Sequence, residues 1–78
     1  MRAFFVHIKC ELGKTHEVAT AIADKEIASE IHSTAGDFDL LVKFYLKPDE
    51  DVGLFINKEI HAVPGIRDTQ TLITFKAF

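Results

Sequence analysis

The 78-residue chain has no tryptophan, two prolines and a single cysteine, Cys10. One cysteine cannot close an internal disulfide, and thiols left reduced suit a reducing compartment, so the expected location is the cytoplasm. Nine Lys and Arg residues are scattered singly among twelve Asp and Glu, for a formal net charge of −3. A nucleic-acid binder needs clustered cations to neutralise phosphates, so direct nucleic-acid binding is not expected. No apolar run approaches the ~20 residues that span a bilayer, which argues against a membrane protein. Arg2 followed by a run broken at His7 and Lys9 does not resemble a signal peptide. There is no glycine-rich phosphate loop and no discernible Ser/His/Asp or Cys/His set. The four histidines, His7, His16, His32 and His61, have no Cys or His beside them at ligand spacing. Neither a metal nor any other cofactor is therefore expected.

What the chain does have is apolar side chains, 47% of its residues. A domain of this length buries only ~60% of the surface its unfolded chain exposes. The excess calls for a subunit interface.

Alternation marks the strands. Phe4, Val6, Ile8 and Cys10 oppose Phe5, His7 and Lys9, and Gly13 ends that run. From Thr15 to Lys25, Val18, Ala19, Ile22 and Ala23 recur at helical spacing, with Thr15 as the expected N-cap. Residues Ile27 to Thr34 alternate again but are polar enough for an edge strand. After the Gly36-Asp37 turn, Phe38 to Lys47 reads as a mid-sheet strand. Phe38, Leu40, Val42, Phe44 and Leu46 lie on one face, with Asp39, Leu41, Lys43 and Tyr45 on the other. Asp49, Glu50 and Asp51 suit the positive end of a second helix, with Asp49 as its cap. Val52, Phe55, Ile56, Ile60 and Val63 form that helix's apolar stripe, Pro64-Gly65 stops it, and Ile66 to Lys76 is the last strand.

The order strand, helix, strand, strand, helix, strand predicts a single α+β domain with the ferredoxin-like fold. Right-handed crossovers place both helices on one face of a four-stranded antiparallel sheet and leave the other bare. The expected occupants of the bare face, including Phe5, His7, Leu41, Tyr45, Ile73 and Phe75, are too apolar for water. Two subunits packed sheet against sheet would cover them.

Two segments carry candidate chemistry. Gly36-Asp37-Phe38-Asp39 reads either as an ordinary turn or as an ammonium trap made of carboxylates and backbone carbonyls. The phase of Asp39 points it at the bare face, where a lone carboxylate is costly unless paired. Thr69 and Thr71 share a face, as alternating threonines in strands do, and their phase could match that of Asp39. Their hydroxyls would then meet the carboxylate of an α-amino acid while Asp39 meets its ammonium group.

These two segments, with Pro64-Gly65-Ile66 between them, resemble the effector-binding module of the leucine-responsive and asparagine regulators, the Lrp/AsnC family. The likeness runs from about Phe4 to Phe75. It implies a ferredoxin-like subunit that dimerises through its sheet, further assembly into rings of eight or ten subunits, and amino acids bound between dimers. Carried over by position, Gly36, Asp37 and Asp39 line the binding turn and Thr69 and Thr71 offer hydroxyls. The helix-turn-helix half that precedes this module in full-length members is not in these 78 residues, and Met1 leading straight into a strand reads as a natural start. The expected role is a non-catalytic amino-acid sensor in control of amino-acid metabolism or transcription, alone or in mixed assemblies with full-length regulators. The alternative is a small dimeric α+β barrel enzyme of the monooxygenase type, since fold does not decide function. That class needs a polar pocket between helices and sheet. A plain oligomerisation module is the third reading.

Overall fold

A computed structural model describes residues 2–78. Strands β1 (Arg2–Cys10), β2 (Glu30–Ser33), β3 (Leu40–Leu46) and β4 (Ile66–Ile73) form one antiparallel sheet in the order β2-β3-β1-β4. Helix α1 (Thr15–Asp24) links β1 to β2, and α2 (Val52–Phe55), continued by a π-helical turn at Ile56–Ile60, links β3 to β4. Each helix thus carries the chain across an intervening strand, as expected for the ferredoxin-like fold. β3 lies inside the sheet and β2 at its edge.

The apolar phases are buried as read. Phe4, Val6, Ile8 and Cys10 of β1 and Leu40, Val42, Phe44 and Leu46 of β3 pack against Val18 and Ile22 of α1 and Ile56, Ile60 and Val63 of the second helical segment. Phe4 stacks on Phe44 at 5.3 Å between ring centroids, and Phe55 meets both rings edge-on at 6.0 and 5.3 Å. Burying one such ring contributes roughly 1.5–3 kcal/mol, so this trio fixes where α2 sits.

Several boundaries move. Lys14, not Thr15, occupies the N-cap position of α1, without a side-chain bond. The second helix is capped by Asp51, whose Oδ1 accepts the Leu54 amide at 3.0 Å. Asp49 instead lies in a turn closed by the Glu50 amide on the Lys47 carbonyl at 3.0 Å. β4 ends at Ile73 rather than Lys76, leaving Phe75 fully exposed beyond it.

The phase of β4 is the larger correction. Residues directly opposite one another in an antiparallel pair share a face. Thr69 lies opposite Ile8, Thr71 opposite Val6 and Ile73 opposite Phe4, so all three are on the helix-covered face. Gln70 and Leu72 take the bare face with His7 and Phe5. Neither phase of this strand is strongly apolar, so its register against β1, shifted by an irregularity at Lys9/Cys10, decides the matter.

The bare face therefore carries Ala3, Phe5, His7, Leu41, Lys43, Tyr45, Gln70 and Leu72 beside Glu30 and His32. Tyr45 and Leu72 are exposed and the other apolar members half-buried. The Lys43 ammonium lies 5.1 Å from the Tyr45 ring centre, 5.8 Å from that of Phe5 and 3.6 Å from the Glu30 carboxylate.

Candidate functional site

Because β1 runs against both β3 and β4, its C-terminal end meets their N-terminal ends. The loop before β3, the loop entering α1 and the start of β4 gather there, and four of the five candidate residues lie at this end of the sheet.

Asp39 ties it together. Its amide donates to the Ile8 carbonyl at 2.9 Å, its own carbonyl accepts the Thr34 amide at 2.9 Å, and its Oδ2 accepts the Cys10 amide at 2.7 Å. The carboxylate takes an amide that the irregularity at Lys9/Cys10 would leave without a ladder partner. Asp39 precedes the first residue of β3, so its side chain does not follow the strand alternation onto the bare face. It lines instead a cleft of about 190 Å³ with Lys9, Cys10, Gly13, Thr15 and Arg67. What pairs the expected lone carboxylate is the chain's own backbone. Phe38 also leaves the strand phase and packs on His7, with ring centres 5.0 Å apart.

Gly36 holds φ +109°, a conformation essentially reserved for glycine, and this lets the loop reverse. Thr34 closes the loop by donating its hydroxyl to the Phe38 carbonyl at 3.0 Å. The Asp37 carbonyl accepts the Lys9 ammonium at 3.0 Å, so one of the carbonyls read as an ammonium trap already holds an internal ammonium. Asp37 itself is exposed and lines a shallow cleft of about 340 Å³ with His7, Thr34 and Phe38. The Nδ1 atom of His7 is buried there without a hydrogen-bond partner among the described residues.

Thr69 is half-buried in a third cleft, of about 440 Å³, with His61, Ile66, Arg67 and Asp68. His61 joins the second helix to β4: Nδ1 is 2.8 Å from Asn57 Oδ1 and Nε2 is 3.0 Å from Thr69 Oγ1. An amide oxygen only accepts, so Nδ1 donates to Asn57, while Nε2 shares a hydrogen bond with the Thr69 hydroxyl. Thr71 is half-buried two residues on and lines none of these three clefts.

The candidates are thus brought to neighbouring clefts rather than to one face. Asp39 and Thr69 do not share a cleft; Arg67 lines the clefts of both. Arg67, His61 and Lys9 are not among the candidate site residues of the sequence reading. Arg67 lies between two pieces that the reading singles out, Pro64-Gly65-Ile66 and Thr69/Thr71, and the Asn57/His61 spacing of four is that of side-chain neighbours on a helix. Burial pushes the Cys10 thiol up; a Thr15 hydrogen bond opposes this and the Asp39 charge adds to it, so Cys10 is an inert neutral thiol. Among the described residues no three His, Cys, Asp or Glu side chains gather to hold a metal ion, and no helix is long and apolar enough to cross a membrane.

The Lrp/AsnC ligand binding domain model matches residues 3–78. The chain belongs to the Lrp/AsnC family. It is similar to the HTH-type transcriptional regulator FL11 of Pyrococcus abyssi, at 36% identity over 72 residues that cover 92% of this chain and 47% of that protein. The chain spans about half the length of the curated relatives it matches first. Among solved structures, TTHA0845 from Thermus thermophilus superposes with a TM-score of 0.89 at 28% identity, covering 100% of this chain and 98% of that one. The transcriptional regulator NMB0573 from Neisseria meningitidis, solved as a complex with L-Met, shares the fold at a TM-score of 0.82 and 14% identity, over 96% of this chain and 50% of its own. This Lrp/AsnC domain is therefore of the kind found in transcription regulators, with the ferredoxin-like architecture of its structural neighbours.

Proposed function

We propose that this Lrp/AsnC domain is a non-catalytic sensor that binds an α-amino acid between subunits and passes the signal on by assembly. The observation that carries the reading is the end of the sheet just described. Polar groups of opposite kinds, the Asp39 carboxylate, the Arg67 guanidinium and the Thr69 hydroxyl, border adjoining clefts that stand open in the single chain. Gly36 and Asp37 form the loop beside them, and Thr71 follows Thr69 on the same face. An open half-site is what a second subunit would complete. The bare sheet face, with Phe5, Leu41 and Leu72, supplies the first contact between subunits; rings of eight or ten follow if dimers associate further. Mixed assembly with full-length regulators would carry the signal to DNA.

The monooxygenase-type alternative needs a polar pocket between helices and sheet. That layer is filled by Phe4, Val6, Ile8, Phe44, Ile22 and Ile60, each nearly or wholly excluded from solvent, which favours the sensor.

Melting curves and light-scattering mass across the twenty amino acids test the proposal. A ligand that binds only the assembled form stabilises it by mass action, about 2.7 kcal/mol at a hundred times its Kd. The expected result is a selective rise in Tm with one class of amino acid, accompanied by a mass of several subunits. An assembled protein indifferent to all twenty would replace the sensor with a partner-docking module. A plain dimer that develops haem absorbance on titration would replace it with the enzyme.

A further inference from the structure

Arg67 lies at the start of β4 and lines both the cleft of about 190 Å³ that holds Asp39 and the cleft of about 440 Å³ that holds Thr69. Among the described residues it makes no side-chain hydrogen bond and no ion pair. Two of the carboxylates around it already accept backbone amides. Asp39 Oδ2 is on the Cys10 amide, and Asp68 Oδ1 accepts the Thr69 amide at 2.9 Å. Asp68 lies opposite Lys9 in the sheet, and Lys9 is held by the Asp37 carbonyl. Glu11 also lines the smaller cleft and is exposed. The Thr69 hydroxyl, the other group expected to meet a carboxylate here, is already engaged with His61 Nε2 at 3.0 Å. In the larger cleft the Arg67 guanidinium is thus the side-chain donor left without a partner among the described residues.

We infer that Arg67 is the carboxylate-recognising residue of this domain, holding the α-carboxylate of the ligand on the Thr69 side while the ammonium group faces the free oxygen of Asp39. A guanidinium presents paired N–H donors that match both oxygens of a carboxylate, which a hydroxyl cannot. Specificity for a carboxylate thus comes from Arg67, and Thr69 holds His61 in place beside it. The identity of the ligand as an amino acid rests on the sensor reading; the carboxylate site itself does not.

The test titrates the assembled protein with propionate, propionamide and propylamine at constant ionic strength, following the methyl resonances of Thr69 and Ile66. Propionate is expected to shift them saturably, propionamide and propylamine not. Arg67→Gln should weaken propionate binding at least tenfold with an unchanged circular dichroism spectrum, and Arg67→Lys should recover part of it. Equal responses to propionate and propionamide, or an Arg67→Gln protein that binds like the parent, overturn the inference. If amino acids still shift Tm in Arg67→Gln as in the parent, the Arg67 assignment falls and the sensor stands. If no amino acid shifts Tm while propionate saturates Thr69 through Arg67, the sensor falls and the carboxylate site stands.

Discussion

The carboxylate of Asp39 accepts the backbone amide of Cys10 at 2.7 Å, beside the point where β1 breaks register with β4. One side chain thus closes the ladder and borders the candidate site, and these duties can be separated by substitution. Asp39→Ala leaves a part-buried amide unpaired and should cost about 1–3 kcal/mol. Asp39→Asn keeps an acceptor oxygen and should cost less in urea unfolding while still removing the charge an ammonium ligand needs. An Asn variant that remains folded and responds fully to the amino acid would remove Asp39 from the binding site.

Gly65 holds φ +93°, its carbonyl accepts the Glu11 amide at 2.8 Å, and a Cβ there would stand 3.1 Å from Val18 Cγ2 and 3.3 Å from Lys14 Cβ. Gly13, at φ +78°, has open space around it. Gly13→Ala should therefore cost only the left-handed backbone term, about 1–2 kcal/mol. Gly65→Ala pays that and a clash with the buried side of α1, so its urea midpoint should fall further. Equal losses would mean that the close approach to Val18 is relieved without effort.

The cap of the second helix should reveal itself by contrast. Asp51→Ala removes the acceptor of the Leu54 amide and should destabilise by about 0.5–2 kcal/mol, whereas Asp49→Ala, in the preceding turn, should change the thermal midpoint little. The reverse ranking would restore Asp49 as the cap.

Glu30 is hydrogen-bonded by His32 at 2.9 Å and lies 3.6 Å from the Lys43 ammonium, and these neighbours, His32 first, hold its carboxyl below the ordinary glutamate range. A carboxyl lowered by folding stabilises the folded state above its unfolded value, and the contribution is lost as pH falls through the folded value. The Tm advantage of the parent over Glu30→Gln should therefore shrink on going from about pH 5 to about pH 3. Added salt should reduce it as well, since the pair is exposed. An advantage that grows toward acid would refute the pairing.

The legible parts of this fold are those where burial writes itself into alternation. Val6, Ile8, Val42 and Phe44 can face only the helices, and Val52, Phe55, Ile56 and Ile60 can form only one stripe, so the element order and most of the core follow from the chain. β4 is different. Thr69, Thr71 and Ile73 are hardly more apolar than Asp68, Gln70 and Leu72, and its orientation comes from pairing with β1 across the register shift. Asp39 went astray for the same kind of reason: alternation predicts a side chain only inside a strand, and β3 begins one residue later.

The candidate site divides along that line. Gly36, Asp37, Asp39, Thr69 and Thr71 are visible as local patterns, because turn chemistry and β propensity act over a few residues. That Thr69 is hydrogen-bonded to His61, and that Arg67 lines the clefts of both Asp39 and Thr69, depends on groups from separate segments meeting at one end of the sheet. By itself the sequence determined the family, the ferredoxin-like order and the helix-facing phase of β1 and β3, since each is set by short-range periodicity and hydrophobic burial. Only the tertiary structure decided the face of β4, the partner of Asp39 and the place of Arg67, because strand register and side-chain hydrogen bonding are settled between segments, not within them.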